Sequence, residues 1–160
     1  MSEELLQHKL QAIAHHFGNI AGFIHLHPSF TSSEIPAFPP REKAIVKHIF
    51  LIAKHLQPFF QSRVFDYRHS FLTVHRLDGA FGLDYRFNYS VISGGLFGLT
   101  KTLQWEWPGC LARSLDLDPT FDVETVVKHI MAEVHDCNQQ IREVAYGAYG
   151  RVTLQAVLEG

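Results

Sequence analysis

Residues 89–108 read YSVISGGLFGLTKTLQWEWP, and this stretch indicates a helix at the centre of the fold. Apolar side chains recur in it at helical spacing, at Val91, Ile92, Leu96, Leu99 and Leu103. Gly94, Gly95 and Gly98 each cost an isolated helix about 1 kcal/mol relative to alanine, so we expect a sheet, a second helix or a ligand to pack closely against them. Pro108 should end the helix, because proline has no backbone N–H.

Three further helices and five strands are predicted on either side of this segment. The helices are 5–17, 40–57 and 123–137, and the strands are 22–27, 70–75, 111–117, 143–146 and 151–154. Because most of the strands alternate with helices of crossover length, we expect an α/β fold. Its parallel sheet of about four to five strands should be flanked by helices on both faces.

Composition and charge exclude several classes of protein. The 160 residues are 46% apolar and carry a formal charge of −2 without a basic block, so we expect one globular domain that binds no nucleic acid. Apolar runs fall short of the roughly 18 residues that a membrane span needs, and the acidic start is unlike a signal peptide. We therefore expect a cytoplasmic protein without membrane contact. Cys110 and Cys137 lack metal or redox spacing and are predicted to be buried, reduced thiols.

Several polar and aromatic residues are interpreted as structural. Arg113 and Asp116, on one predicted strand, are expected to form an ion pair at the rim of the sheet. Asp78, which is followed by glycine, is interpreted as a turn residue, and a carboxylate that faces a substrate is the minority interpretation. Trp105 and Trp107 are expected to anchor the core and interfaces, because large aromatic side chains dominate contact energies.

Five segments of the chain together carry a family resemblance. They are GFIHLHP (22–28), FLIAKHLQP (50–58), TVHRLDG (73–79), GLTKTLQWEWP (98–108) and RSLDLDP (113–119). In this order they resemble the ketoreductase domain of polyketide and polyunsaturated-fatty-acid synthases, a short-chain dehydrogenase/reductase fold. The family's glycine-rich dinucleotide fingerprint has no counterpart here. The resemblance therefore implies one partial, Rossmann-like domain over residues 1–160, without the N-terminal dinucleotide-binding half.

The resemblance also implies candidate catalytic residues. In this family a tyrosine protonates the substrate carbonyl, a lysine lowers the pKa of that tyrosine, and NADPH supplies hydride. Tyr89 stands about where the tyrosine is expected, and Ser93 stands four residues later, where the family has lysine or asparagine. Lys47 and Lys54 are candidates for the lysine that polyketide-type ketoreductases place on the preceding helix, although Lys54 could equally be a solvated residue.

The end of the first predicted strand is a candidate binding rim. His25, His27 and Pro28 precede a proline-rich loop and are our candidates for contacting the cofactor. His25 and His27 share one face of the strand, an arrangement that some zinc sites use. No third ligand stands at a characteristic spacing, so polar strand-end histidines without a metal are the preferred interpretation.

Three functions remain open from the sequence, the third being a metal- or small-molecule-binding module that uses the rim at His25 and His27. The first is a ketoreductase-like fragment of a synthase that reduces a β-ketoacyl thioester with NADPH in its intact form. The alternative is a non-catalytic structural or dimerisation half-domain, which the missing fingerprint and Ser93 favour. We expect the isolated chain to be inactive or nearly so. The resemblance implies that it associates with itself through helices 41–57 and 89–107, which often form a two-fold interface in the family, or with the remainder of a synthase, with an acyl carrier protein as a possible further partner.

Overall fold

The computed structural model describes residues 2–28, 40–61, 68–84 and 91–156. Their elements, in chain order, are α1 (Glu3–Phe17), β1 (Gly22–Leu26), α2 (Pro40–Phe60), β2 (Ser70–His75), α3 (Ser93–Glu106), β3 (Leu111–Leu117), α4 (Val123–His135), β4 (Glu143–Gly147) and β5 (Gly150–Val152). The predicted α/β class and order of elements are confirmed. Within these ranges, no helix has both the length and the apolar character needed to cross a membrane.

All four helices differ from the prediction at their ends. α1 begins at Glu3, two residues before the predicted start, because the Ser2 side chain caps it by accepting from the Leu5 N–H. α2 continues to Phe60 with Pro58 in its last turn, where proline removes one backbone hydrogen bond. α4 stops at His135, because Asp136 has an extended backbone conformation. α3 ends where Trp107 leaves helical geometry before proline, as predicted, but it begins only at Ser93, because Val91 and Ile92 form a turn. The predicted first turn at 89–90 lies outside the described residues.

The five strands form one sheet in the order β1-β2-β3-β4-β5. β1 to β4 run parallel, whereas β5 is antiparallel to β4. The expectation of a fully parallel sheet is wrong at β5, because the two residues 148–149 that connect it to β4 are too few for a crossover. The register pairs Leu26 with Val74 and Val74 with Leu115, so β1, β2 and β3 end side by side.

Helices cover both faces of the sheet, as predicted. On one face α2 and α3 pack against β2 and β3 in a core of Ile49, Ala53, Leu56, Phe60, Phe71, Leu96, Leu103, Trp107, Cys110 and Ala112. On the other face α4 contributes Ile130 to a core with Leu72, Val74, Leu111, Leu115, Leu117, Val144 and Tyr146. Successive residues of a strand point to opposite faces, which is why Phe71 and Leu72 belong to different cores.

Two glycines of α3 lie against open space. A Cβ added to Gly94 or Gly98 would meet no heavy atom within 4 Å, and one added to Gly95 would lie 3.9 Å from Cγ1 of Val46. The expectation that the sheet or a helix of this chain packs closely on all three is therefore wrong within the described residues. We call the surface at Gly94 and Gly98 the bare patch of α3.

The predicted ion pair between Arg113 and Asp116 does not form. Arg113 faces α4, where it donates to the carboxylate of Glu133. Asp116 faces away from α4 and accepts hydrogen bonds of 2.8 Å from the backbone N–H groups of Leu77 and Phe81. The two side chains lie three positions apart on a strand and so emerge from opposite faces of the sheet.

Cysteine and tryptophan side chains divide between core and surface. Cys110 is buried as predicted, but Cys137 is exposed, because it lies beyond the last turn of α4. Trp107 is buried in the core beneath α2 and α3. Trp105 is 70% exposed, and the Arg142 guanidinium lies 4.0 Å from the centre of its ring. Trp105 is therefore available for contact with another molecule.

Candidate functional site

Polar side chains converge at the carboxyl ends of β1 and β2, beneath α2 and α3. His25 lies on β1 and His27 directly follows it, while Glu42 lies in the first turn of α2 and Ser93 begins α3. We call these four residues the His–Glu cluster. Ligands of open α/β sheets bind outside the carboxyl ends of the strands, so this is the candidate site.

Hydrogen bonds connect the His–Glu cluster into one chain. His25 Nε2 lies 3.2 Å from His27 Nδ1, and His27 Nε2 lies 3.0 Å from Oε1 of Glu42. The Ser93 hydroxyl donates to the same carboxylate oxygen over 3.4 Å. His27, Glu42 and Ser93 are buried, and Glu42 has no exposed surface. The half-buried His25 therefore connects the rim of the site to a buried carboxylate.

His75, at the end of β2, forms the floor beside the cluster. Its ring centre lies 5.1 Å from that of His27 and 4.5 Å from that of Phe97. Among the described residues, neither ring nitrogen of His75 has a hydrogen-bond partner, and neither does Oε2 of the buried Glu42. Burial, with smaller contributions from His27 and His25, holds the pKa of His75 well below its ordinary value. His75 is therefore uncharged at neutral pH.

A groove of about 370 Å³ opens beside Ser93. Its wall is mostly apolar and is formed by Leu77, Phe81, Val91, Gly94, Phe97 and Leu154, with Ser93 and Glu143 as polar members. The groove would accommodate an apolar chain with a polar group near Ser93.

Two carboxylates fix the loop that forms one wall of this groove. Asp78 accepts hydrogen bonds from the N–H groups of Ala80 and Gly82, both 2.8 Å, which confirms its interpretation as a turn residue. Asp116 accepts from the N–H groups of Leu77 and Phe81. Burial, helped by the nearby charge of Asp78, raises the pKa of Asp116 to about 6. These carboxylates hold the loop in place, because their oxygens are occupied by backbone donors.

The candidate catalytic residues are not all brought together. Tyr89 lies outside the described residues, so its position stays a prediction. Ser93 lies in the site. Lys54 instead donates to Glu3 of α1 over 2.7 Å, in an exposed ion pair. Lys47 is exposed and lies five residues after Glu42, which is about 140° around the helix from it.

The candidate cofactor residues lie at and just beyond the end of β1, where their contact with a cofactor stays a prediction, and the sequence did not reveal two buried members of the site. His25 is half-buried, His27 is buried and Pro28 is exposed. Glu42 was overlooked because an acidic residue in the first turn of a helix is usually explained by the helix dipole. His75 was overlooked because a strand-end histidine has no distinctive spacing.

Comparisons with known proteins identify the fold. No family model matches the chain. It is 27% identical over 164 residues to a polyunsaturated fatty acid synthase polypeptide from a Thraustochytrium species, and the match covers 98% of this chain and 6% of that protein. A Pseudomonas syringae protein classed as a short-chain dehydrogenase aligns with a TM-score of 0.53 at 20% identity, over 76% of this chain and 52% of its own. The fold is that of the short-chain dehydrogenases.

A second solved structure agrees on this short-chain dehydrogenase fold. It is a Burkholderia xenovorans protein classed as a short-chain dehydrogenase/reductase, with a TM-score of 0.54, 14% identity and coverage of 82% of this chain and 57% of its own. The chain thus spans about half the length of the solved proteins and a small fraction of the synthase polypeptide.

The site departs from what the resemblance to ketoreductases implies. Where the family has lysine or asparagine, Ser93 donates to the buried carboxylate of Glu42. The hydrogen-bonded atoms of the His–Glu cluster are imidazole nitrogens, a hydroxyl and a carboxylate, without a cationic Lys or Arg to face a phosphate group. These four side chains offer no cation to the phosphates of NADPH, which call for cations or backbone N–H donors.

Proposed function

We propose that this chain is a ketoreductase-like half-domain of a cytoplasmic synthase of the polyunsaturated-fatty-acid or polyketide type, with a structural role. The contact between Ser93 and the buried Glu42 carries the proposal. The similarity to a synthase polypeptide over 98% of the chain supports the proposal that it is part of a synthase. The short-chain dehydrogenase fold supports the ketoreductase-like architecture.

The electrostatics of the His–Glu cluster would oppose proton donation by a tyrosine placed beside it. In the family the lysine favours the ionised tyrosine and so lowers its pKa, whereas a nearby carboxylate disfavours ionisation and raises it. Lys54, one of the two candidate lysines on α2, is bound to Glu3 on α1 instead. A site that contains a buried carboxylate and lacks the lysine would be a poor ketoreductase site.

The exposed edge of β1 supports association with the rest of a synthase. Among the described residues β1 pairs with β2 alone, and its Ile24 and Leu26 are 43% and 63% exposed. The two solved structures each extend over nearly twice the matched length. An unpaired strand edge readily accepts another strand, so we infer that a parallel strand of a companion Rossmann-like half pairs with β1.

A second contact surface supports self-association through α2 and α3. The bare patch of α3 would allow the backbone of a partner helix to approach closely, since Gly94 and Gly98 have open space where a Cβ would be. Phe50 of α2 and Trp105 of α3 are 54% and 70% exposed and would be covered by the same contact. We infer a two-fold pair of chains through these helices.

Ketoreduction within an assembled synthase is the second candidate. The apolar groove beside Ser93 supports it, because a β-ketoacyl chain delivered by an acyl carrier protein would fit such a wall. In that case the NADPH-binding residues would have to come from outside this chain.

An activity assay separates the two candidates. The purified chain and its Tyr89→Phe variant are mixed with NADPH and a short β-ketoacyl thioester, and NADPH oxidation is followed by absorbance. We expect both proteins to match the buffer rate. Turnover by the unaltered chain that Tyr89→Phe abolishes would overturn the structural role.

A further inference from the structure

The imidazoles of His25 and His27 have the separation of two ligands on one metal ion. His25 Nε2 and His27 Nδ1 lie 3.2 Å apart, and with metal–nitrogen bonds of about 2.0–2.1 Å this separation gives an N–metal–N angle of about 100°. The rings are inclined by 68° with their centres 5.5 Å apart, so neither ring stacks on the other. The N–N separation is therefore compatible with both nitrogens binding one ion.

Glu42 prepares His27 for this role. Its Oε1 lies 3.0 Å from His27 Nε2, and an accepting carboxylate oxygen places the imidazole hydrogen on Nε2. The lone pair of His27 is then on Nδ1, the atom that faces His25. Metal-binding histidines usually donate their second ring N–H to a carboxylate or carbonyl in this way, which fixes the tautomer and makes the ligand more basic.

His25 supplies an accessible second nitrogen. It is half-buried at the rim of the site, between the exposed Ile24 and Leu26. When an ion binds, His25 moves its ring hydrogen from Nε2 to Nδ1, with no net proton release.

We propose that His25 Nε2 and His27 Nδ1 bind one divalent transition-metal ion of the zinc and copper class, with His27 oriented by Glu42. In the ranges 2–28, 40–61, 68–84 and 91–156 no group of three or more potential ligands is assembled, so the proposal assigns the ion two protein ligands from these ranges. Imidazole suits these ions, and Cu²⁺ binds more tightly than Zn²⁺ to a given set of nitrogen ligands. The site does not depend on the proposed role in a synthase.

Zinc chloride titration of the purified, folded chain tests this site. Calorimetry gives the affinity, and NMR of ¹⁵N-histidine-labelled protein reports which imidazoles change. A Cys137→Ser background removes the exposed thiol as a competing ligand. We expect one equivalent of Zn²⁺ to shift the resonances of His25 and His27 first. His25→Ala should weaken binding about tenfold or more, and Glu42→Gln, which keeps an acceptor oxygen, about tenfold.

The matched control is His8→Ala, which removes an exposed histidine from α1 and should leave the affinity unchanged. Circular dichroism confirms that each variant is folded. His25 is half-exposed, so His25→Ala decides the question even if variants of the buried His27 or Glu42 do not fold. Unchanged zinc affinity in His25→Ala, or zinc shifts spread equally over other histidines, would overturn the proposal.

Discussion

The guanidinium of Arg113 on β3 is buried against the carboxylate of Glu133 on α4. Their side chains are 0% and 1% exposed, respectively. Arg113 also donates to Asp136 over 2.8 Å and to the backbone carbonyl of Ile141 over 2.9 Å. Glu133 accepts a further hydrogen bond of 2.7 Å from Arg151 on β5. This network joins the sheet to α4 on the face opposite the candidate site.

We expect Glu133→Gln to lower the free energy of unfolding by about 3 kcal/mol, the lower end of the 3–5 kcal/mol range for breaking a buried pair. The cost arises because Arg113 keeps its buried charge, and Asp136 limits the loss. Urea unfolding measures it. The control is Lys101→Ala, which breaks a half-exposed pair with Glu143 and should cost about 1 kcal/mol or less. Equal losses in the two variants would show that the buried network does not stabilise the fold.

Asp116 should make stability depend on pH. Burial, with help from the charge of Asp78, raises its pKa from an ordinary 3.8 to about 6, against the backbone hydrogen bonds from Leu77 and Phe81. The folded state then binds more protons than the unfolded state between these values. This residue's contribution to stability therefore falls as pH rises from about 4 to about 6, by about 3 kcal/mol in total.

The Asp116→Asn variant isolates that contribution, because its side chain does not titrate. We expect the difference in unfolding free energy between wild type and variant to change with pH between about 4 and 6 and to be constant above about 7. Urea unfolding at several pH values gives the two curves. Parallel curves across this range would show that Asp116 titrates normally in the fold.

The sequence predicted the positions of the helices and strands better than the strand direction and side-chain contacts around them. Periodic apolar residues located all four helices and five strands, because that pattern follows from which face is buried. The antiparallel direction of β5 was not predicted, although the two-residue connection at 148–149 is too short for the crossover that a parallel strand needs. The opposite faces of Arg113 and Asp116 were likewise readable from their spacing of three along a strand.

The site was harder to predict because its members come from separate elements. Ser93 was found through its distance from Tyr89 along the chain. Glu42 was not found, since its contacts with His27 and Ser93 span 15 and 51 residues of sequence. The pattern of α2 marks apolar positions as buried, and a buried carboxylate breaks that rule.

Gly79 should tolerate no side chain. Its φ is +70°, and an added Cβ would lie 2.3 Å from the carbonyl oxygen of Tyr146 and 2.7 Å from Cα of Gly147. Gly79→Ala should therefore cost the left-handed penalty of about 1–2 kcal/mol and a further 1–3 kcal/mol for the backbone clash.

Gly150→Ala is the matched control for Gly79→Ala. Gly150 has a similar φ of +75°, but its added Cβ would meet nothing within 4 Å, so only the penalty of about 1–2 kcal/mol applies. Thermal unfolding compares the two variants with the wild type. Equal melting temperatures for the two variants would mean that the contact between the Gly79 loop and β4 is looser than the structure shows.

Gly98→Leu should separate self-association from folding. Nothing within the described chain lies near the added Cβ, and leucine favours a helix over glycine by roughly 0.8 kcal/mol, so the fold should be retained or stabilised. A two-fold contact over the bare patch of α3 would be blocked. Light scattering should show a dimer for the wild type and a monomer for the variant.

The control for Gly98→Leu is Ala12→Leu, which adds bulk at an exposed position of α1 and should remain dimeric. A wild type that is monomeric at all concentrations would overturn the inferred pair of chains. Dimers that persist in Gly98→Leu would place the interface elsewhere.

Calorimetric titration of NADPH into the purified chain tests most directly whether its role is structural. We expect no heat of binding even at millimolar NADPH, because the described strand ends present a buried carboxylate and histidines where phosphates would need cations or N–H donors. A micromolar dissociation constant, which corresponds to a binding free energy on the order of −8 kcal/mol, would contradict a structural role.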